Sequence, residues 1–183
     1  TAFYKKILFP KATKDTWSST ETTLPEGTTK EDFDKDSVLS RFEHQLKSSG
    51  ISTNHTLNPD FSWSPSDISQ IKNYHQLEKY IVLFPFCSPH LTSKKWPYYN
   101  DLISMINEKL ENKFKVVIAP GPGEIKDASS INALCVLDNG KALDISQLAA
   151  LIKDSSFVVA NDTGPAHMTA HLGSKGIALF GTH

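Results

Sequence analysis

Residues Asn161 to His167 read NDTGPAH and directly follow the apolar run FVVA. An Asp-Thr-Gly after a hydrophobic strand is one way to present a catalytic carboxylate, as an aspartic protease does. The same letters at the start of a helix can instead form an anion-binding turn. Gly164 lets the backbone approach closely, and Pro165 pre-sets the first helical turn. Helix-start N–H groups then point at the anion. Thr163 adds a hydroxyl donor. Asp162 would repel a phosphate, so its carboxylate suits the hydroxyls of a neutral sugar or the helix cap. His167 faces the ligand or packs against the fold. An ordinary capped helix would use the same residue types.

Two further loops carry usable chemistry. SPHLTSKKWPYYN supplies the hydroxyls of Ser88, Thr92 and Ser93 and the ammonium of Lys94. A cation in such a place can neutralise a diphosphate without a metal, although a solvated loop anchored by Trp96 would look the same. APGPGEIKD contains GxG but lacks the third glycine of a dinucleotide fingerprint. Its Glu124 could accept a hydrogen bond from a ribose hydroxyl or simply cap a turn. The seven histidines form no HExxH or comparable ligand set, so no metal is expected. Cys87 and Cys135 are far apart in sequence and read as two isolated thiols.

The elements that must position these loops follow from apolar periodicity. YIVLFPF, KVVIAP, FVVAN and GIALFG read as buried strands, with CVLD a possible short one. WPYYNDLISMINEKLEN reads as a helix with Pro97 in its first turn, and GEIKDASSINAL as another helix. DISQLAALIKDS is a helix opened by a capping box of Asp144 and Gln147, and GPAHMTAHLG a helix closed by Gly173. Strands alternating with helices through short loops imply βαβ units and a parallel sheet covered on both faces. A helix after the DTG, then another strand, disfavours the all-β protease. Strand–turn–helix at a strand's carboxyl end is where open α/β sheets bind ligands.

Before Tyr80 the pattern is irregular. KKILF could be a short strand, followed by a polar loop rich in Thr and Ser. Val38, Leu39, Phe42 and Leu46 form one helical stripe that stops at Gly50, and a helix capped by Ser66 or Asp67 runs past Ile68 and Ile71. The 183 residues carry a net charge of −1 and include a single arginine, Arg41. Such a balance does not suit a nucleic-acid surface that must neutralise many phosphates. No apolar run approaches the roughly 20 residues that a membrane span needs. The chain starts at Thr1 and ends just after an apolar strand, which suggests a fragment.

SKKWP after one strand, PGPGE after the next, and ALDISQLAALIKDSSFVVANDTGPAHMTAHLGSKGIALFGTH together resemble the C-terminal half of glycosyltransferase family 9, the ADP-heptose:lipopolysaccharide heptosyltransferases. The resemblance covers Tyr80 to His183 and extends more weakly to Asp36–Trp63. It implies a GT-B fold of two Rossmann-like domains. Residues 80–183 would be the Rossmann-like nucleotide-sugar-binding domain. Residues 1–79 would be the tail end of the N-terminal domain and the interdomain linker. By position, Lys94 would contact the donor diphosphate, Glu124 the ribose, and Leu143 would pack on the adenine. Asp162 would bind the sugar, Thr163 and Gly164 would contact the diphosphate, and His167 would complete the pocket.

The implied reaction is an inverting, metal-independent transfer of heptose from ADP-heptose to a lipid A–core acceptor, with no cofactor. It would take place in the cytoplasm, in peripheral contact with the inner membrane. Ser88–Pro89–His90 departs from the hydroxyl-rich pattern of some members. The family's general base is an Asp after the first strand of the N-terminal domain, and residues 1–79 contain no strand–glycine–helix unit to supply it. The catalytic base is therefore expected outside this chain, which would bind the donor without turning it over. Two other classes remain: a nucleotide- or sugar-binding module without catalysis, and a Rossmann oxidoreductase. The latter would want an intact GxGxxG after a first strand.

Overall fold

The computed structural model describes residues 24–48, 50–54 and 60–181. The strand expected at KKILF and the polar loop up to Thr23 lie outside the described residues. The chain divides into two compact units, Thr1–Pro59 and Asp60–His183.

In the first unit, helix α1 (Lys30–Lys35) starts at Thr29, whose hydroxyl oxygen accepts from the Asp32 N–H at 3.2 Å. It buries Phe33, whose ring meets His44 edge-on. Helix α2 (Val38–Ser48) ends as expected at Gly50, which adopts φ +74° while Ile51 N–H bonds back to Leu46 O. Its apolar stripe behaves differently: Val38, Leu39 and Phe42 are each more than half exposed. Periodicity sets which residues share a face, but something must pack against that face to bury it.

The second unit is a doubly wound α/β layer. Helix α3 (Ser69–His75) precedes β1 (Tyr80–Phe84), α4 (Tyr99–Lys109), β2 (Lys115–Ile118), β3 (Leu134–Cys135), α5 (Ile145–Asp154), β4 (Phe157–Asn161), α6 (Gly164–His171) and β5 (Gly176–Leu179). The five strands are all parallel, in the order β3-β2-β1-β4-β5. Every residue of β1 is buried because both faces are covered. Tyr80, Val82 and Phe84 point into a core with Ile71, Leu151, Ile152 and Leu172 from the α3, α5 and α6 side. Ile81 and Leu83 point the other way, onto Tyr99 and Ile103 of α4. The Tyr80 hydroxyl reaches across the core to Leu151 O at 3.0 Å, and burial pushes its pKa well above the ordinary tyrosine value.

Three local expectations are corrected. GEIKDASSINAL forms only a short 3₁₀ turn, Asp127–Ser130, and no α-helix. The hydroxyls of Ser129 and Ser130 bond to Lys126 O and Asp127 O, capturing carbonyls that a helix would need. Pro97 precedes helix α4, which has Tyr98 as its N-cap; the first helical bond runs from Leu102 N–H to Tyr98 O, one residue past the proline. Helix α3 has Ile68 at its N-cap, while Asp67 closes a local turn by accepting from Ser69 N–H at 2.8 Å. The capping box at α5 is present with both of its bonds.

Chain order and sheet order part company at β1. The chain moves outward through β2 and β3, then crosses back to place β4 on the other side of β1. Loops leaving β1 and β4 must therefore diverge above the carboxyl ends of two adjacent strands. That divergence opens the crevice in which sheets of this type bind ligands.

Candidate functional site

Lys94 ends a 3₁₀ turn (Thr92–Lys94) in the loop between β1 and α4. Its ammonium donates to Asp162 Oδ2 at 2.7 Å and to Asp162 O at 3.1 Å. The two side chains are only 20% and 13% exposed, so the pair is screened far less than a surface ion pair. Asp162 Oδ1 lies 3.8 Å from His167 Nε2, whose imidazole stands 71% exposed. Lys94, Asp162 and His167 thus form a chain of charge and polarity across the top of β4.

The turn that follows is an uncapped helix start. Thr163 sits at the N-cap of α6, yet its hydroxyl donates to Asn161 O at 3.2 Å and caps nothing. Pro165 has no N–H, and Ala166 N–H already bonds to Thr163 O at 3.0 Å. Among the described residues, the N–H groups of Thr163 and Gly164 meet no acceptor. The anion-binding capacity of this turn rests on those two groups and the helix dipole, not on a ladder reaching to Ala166.

Beside this turn lies a cavity of about 270 Å³, lined by Phe86, Ser88, Glu124, Leu143, Thr163 and Gly164 among others. Glu124 is preset: its Oε2 accepts from Gly121 N–H at 2.8 Å. A Cβ on Gly121 would stand 3.2 Å from that oxygen, so the loop fits a glycine there. Leu143 packs against the core and offers its remaining apolar surface to the cavity. Four of the seven residues singled out from the sequence, Glu124, Leu143, Thr163 and Gly164, line one space. Lys94, Asp162 and His167 form the adjoining polar chain. Two larger hollows, of about 890 and 700 Å³, flank β3 and contain none of the seven.

One residue that the sequence reading passed over stands beneath both groups. Asn161 is fully buried at the end of β4. Its Nδ2 donates to Pro85 O at 3.0 Å, and its Oδ1 accepts from the Tyr99 hydroxyl and from Trp96 N–H. The available signal was a polar residue closing an otherwise apolar strand. No group of three or more His, Cys, Asp or Glu able to hold a metal ion occurs among the described residues. His171 packs on the Phe61 ring and His75 bonds to Leu137 O.

The model of glycosyltransferase family 9 (heptosyltransferase) matches residues 28–183. The chain belongs to glycosyltransferase family 9. No individually curated protein matches it. Among solved structures, this family 9 chain is similar to the glycosyl transferase family 9 protein of Veillonella parvula DSM 2008, with a TM-score of 0.57, 15% identity and coverage of 77% of this chain and 48% of the other. It is also similar to the E. coli ADP-heptose lps heptosyltransferase II, with a TM-score of 0.51, 16% identity and coverage of 77% and 46%. A third match is the E. coli heptosyltransferase WaaC with ADP, with a TM-score of 0.48, 22% identity and coverage of 75% and 43%. The family 9 chain therefore spans less than half the length of each of these proteins. At these identities the likeness concerns the fold: the Rossmann-like parallel sheet of a GT-B glycosyltransferase. No helix of the described residues is long and apolar enough to cross a membrane.

Proposed function

We infer that this chain holds the nucleotide-sugar donor of a heptosyltransferase, and that the donor is ADP-heptose. The carrying observation is the pairing of a preset carboxylate, Glu124, with an uncapped helix start and a partly buried lysine at one sheet switch point. A nucleoside diphosphate sugar asks for that combination: an apolar slot for the base, an acceptor for the ribose, donors for the diphosphate and polar groups for the sugar. Leu143 forms the base slot, Glu124 accepts from the ribose, and Thr163 and Gly164 donate to the diphosphate. Asp162 takes the sugar hydroxyls with His167 beside it. The E. coli relative whose name includes ADP-heptose supports this choice of donor.

The reaction is displacement at the anomeric carbon with inversion. An acceptor hydroxyl on a lipid A–core intermediate attacks, its proton goes to a base on the family's N-terminal domain, and the bond to the ADP oxygen breaks. Negative charge then grows on the leaving diphosphate. Lys94 and the N–H groups of Thr163 and Gly164 stand where they can stabilise it without a metal. The compact unit Asp60–His183 forms the donor-binding domain, and the segment before it belongs to the N-terminal domain and linker. The enzyme works in the cytoplasm, against the inner membrane where its acceptor lies.

Calorimetric titration with ADP tests the donor site. The chain should bind ADP and not NADH, and Lys94→Ala should weaken ADP about tenfold, the scale of one charge-assisted hydrogen bond. Unchanged ADP affinity in Lys94→Ala would refute the diphosphate assignment.

A further inference from the structure

Asn161 has a part in this site that its burial conceals. It is 0% exposed, and both polar atoms of its amide are bonded. Nδ2 donates to Pro85 O at 3.0 Å, tying the end of β4 to the end of β1. Oδ1 accepts from Trp96 N–H at 3.3 Å and from the Tyr99 hydroxyl at 3.1 Å. That hydroxyl also lies 3.1 Å from Phe84 O, so its single proton is shared between two acceptors. The Trp96 bond has no such competitor on its donor.

Trp96 lies two residues beyond Lys94, and the short chain between them is held at several points. Lys95 N–H bonds to Thr92 O at 3.0 Å, closing the 3₁₀ turn that carries the lysine. On the other side of Lys94, Ser93 O lies so close to Gly181 that a Cβ there would collide with it. The lysine stem is long and flexible, so the place of its ammonium depends on its backbone anchor and on Asp162. Asn161 is the next residue to Asp162 along β4. One buried amide therefore holds the strand that presents Asp162 and the loop that presents Lys94.

We propose that Asn161 is a positioning residue of the donor site: by holding Trp96 N–H against the end of β4 it sets where the Lys94 ammonium stands. The proposal rests on Lys94 meeting the donor diphosphate, as inferred above. Without the amide, the loop bearing Lys94 gains freedom, and binding must re-impose the order that Asn161 supplies beforehand. A purely structural amide would act otherwise, by weakening every ligand alike through loss of folded protein.

The test uses Asn161→Ser, Lys94→Ala and the double variant, each titrated with ADP and with adenosine, which lacks the diphosphate. Acylation of Lys94 is followed in parallel by mass spectrometry, with the neighbouring Lys95 as internal reference. Asn161→Ser should weaken ADP about tenfold and adenosine less than about twofold. Added to Lys94→Ala, it should cost less than about twofold more, because the lysine it positions is gone. Lys94 acylation should rise several-fold relative to Lys95. Equal losses for ADP and adenosine, multiplying effects in the double variant, or unchanged Lys94 acylation would each overturn the proposal.

Wild-type protein that failed to bind ADP would remove the donor-site reading, and Lys94 acylation in Asn161→Ser would still decide the positioning role. Should Asn161→Ser not fold, Asn161→Thr also withdraws the amide from Trp96 N–H and suits a strand end. It should show the same pattern, with ADP weakened about tenfold and adenosine less than about twofold. An unchanged ADP-to-adenosine ratio together with unchanged Lys94 acylation would overturn the proposal there.

Discussion

Helices α5 and α6 pack on the same face of the sheet, yet they begin in opposite ways. At the start of α5, Asp144 Oδ1 accepts from Gln147 N–H at 2.8 Å and Gln147 Oε1 accepts from Asp144 N–H at 2.9 Å. Gln147 Nε2 also donates to Asp138, so the whole end is closed on itself. At the start of α6, Thr163 is also of a capping type, though a weaker one than aspartate. Its hydroxyl turns back to Asn161 O, and Ala166 in the third helical position has no side chain to return a bond. A closed helix start contributes stability, whereas an open one keeps donors for a ligand. The difference lies in the capping side chain, which turns away at Thr163, and in the partner three residues on.

The largest effect is expected from closing the open end. Thr163→Asp would place a carboxylate where the donor diphosphate is inferred to lie. Like charges so placed cost several kcal/mol, so ADP affinity should fall about a hundredfold. The melting temperature should hold or rise, since aspartate is a strong N-cap. ADP binding that survives Thr163→Asp in a titration would mean that the start of α6 is not the anion site.

Opening the closed end should do the reverse. Asp144→Ala removes the cap and leaves Gln147 without its return bond, at a cost of about 1 kcal/mol. For a chain of this size that is a fall of roughly 2–4 °C in melting temperature. ADP affinity should stay within about twofold, because Asp144 does not line the cavity. A large loss of ADP binding in Asp144→Ala, measured beside its thermal melt, would erase the distinction between the two helix starts.

The two starts were unequally legible in the sequence. Asp144 and Gln147 are three residues apart, so the α5 box could be read directly, as could the strand–turn–helix around Gly164. The strands were readable because β1, β2 and β4 are nearly all apolar and covered on both faces. What could not be read depended on distant partners. Lys94 and Asp162 are 68 positions apart, and nothing in either loop announces that their charges meet. Asn161 looked like the first residue of a polar turn, because its three partners are Pro85 just after β1, Trp96 in the loop beyond and Tyr99 of α4. The mistaken helix at GEIKDASSINAL failed on local chemistry, where serine hydroxyls competed for carbonyls. The exposed stripe of α2 shows the limit of periodicity without a packing partner.

A third helix start, that of α3, sharpens the comparison at the smallest scale. Asp67 accepts from both the hydroxyl and the N–H of Ser69. These bonds favour its ionised form and hold its carboxyl below the ordinary aspartate value, the hydroxyl contributing most. A depressed folded-state pKa contributes stability above the unfolded value of about 4, and the contribution is lost as pH falls through the folded value. The melting-temperature gap between wild type and Asp67→Asn should therefore be small and constant near neutral pH, and should shrink below about pH 4. Asparagine retains an acceptor for Ser69, so what shrinks is the charged part of the turn. A gap that ignores pH in thermal melts would mean that the Asp67 charge adds nothing. Closure of α3 would then rest on neutral bonds alone, and charge would distinguish only the open start of α6.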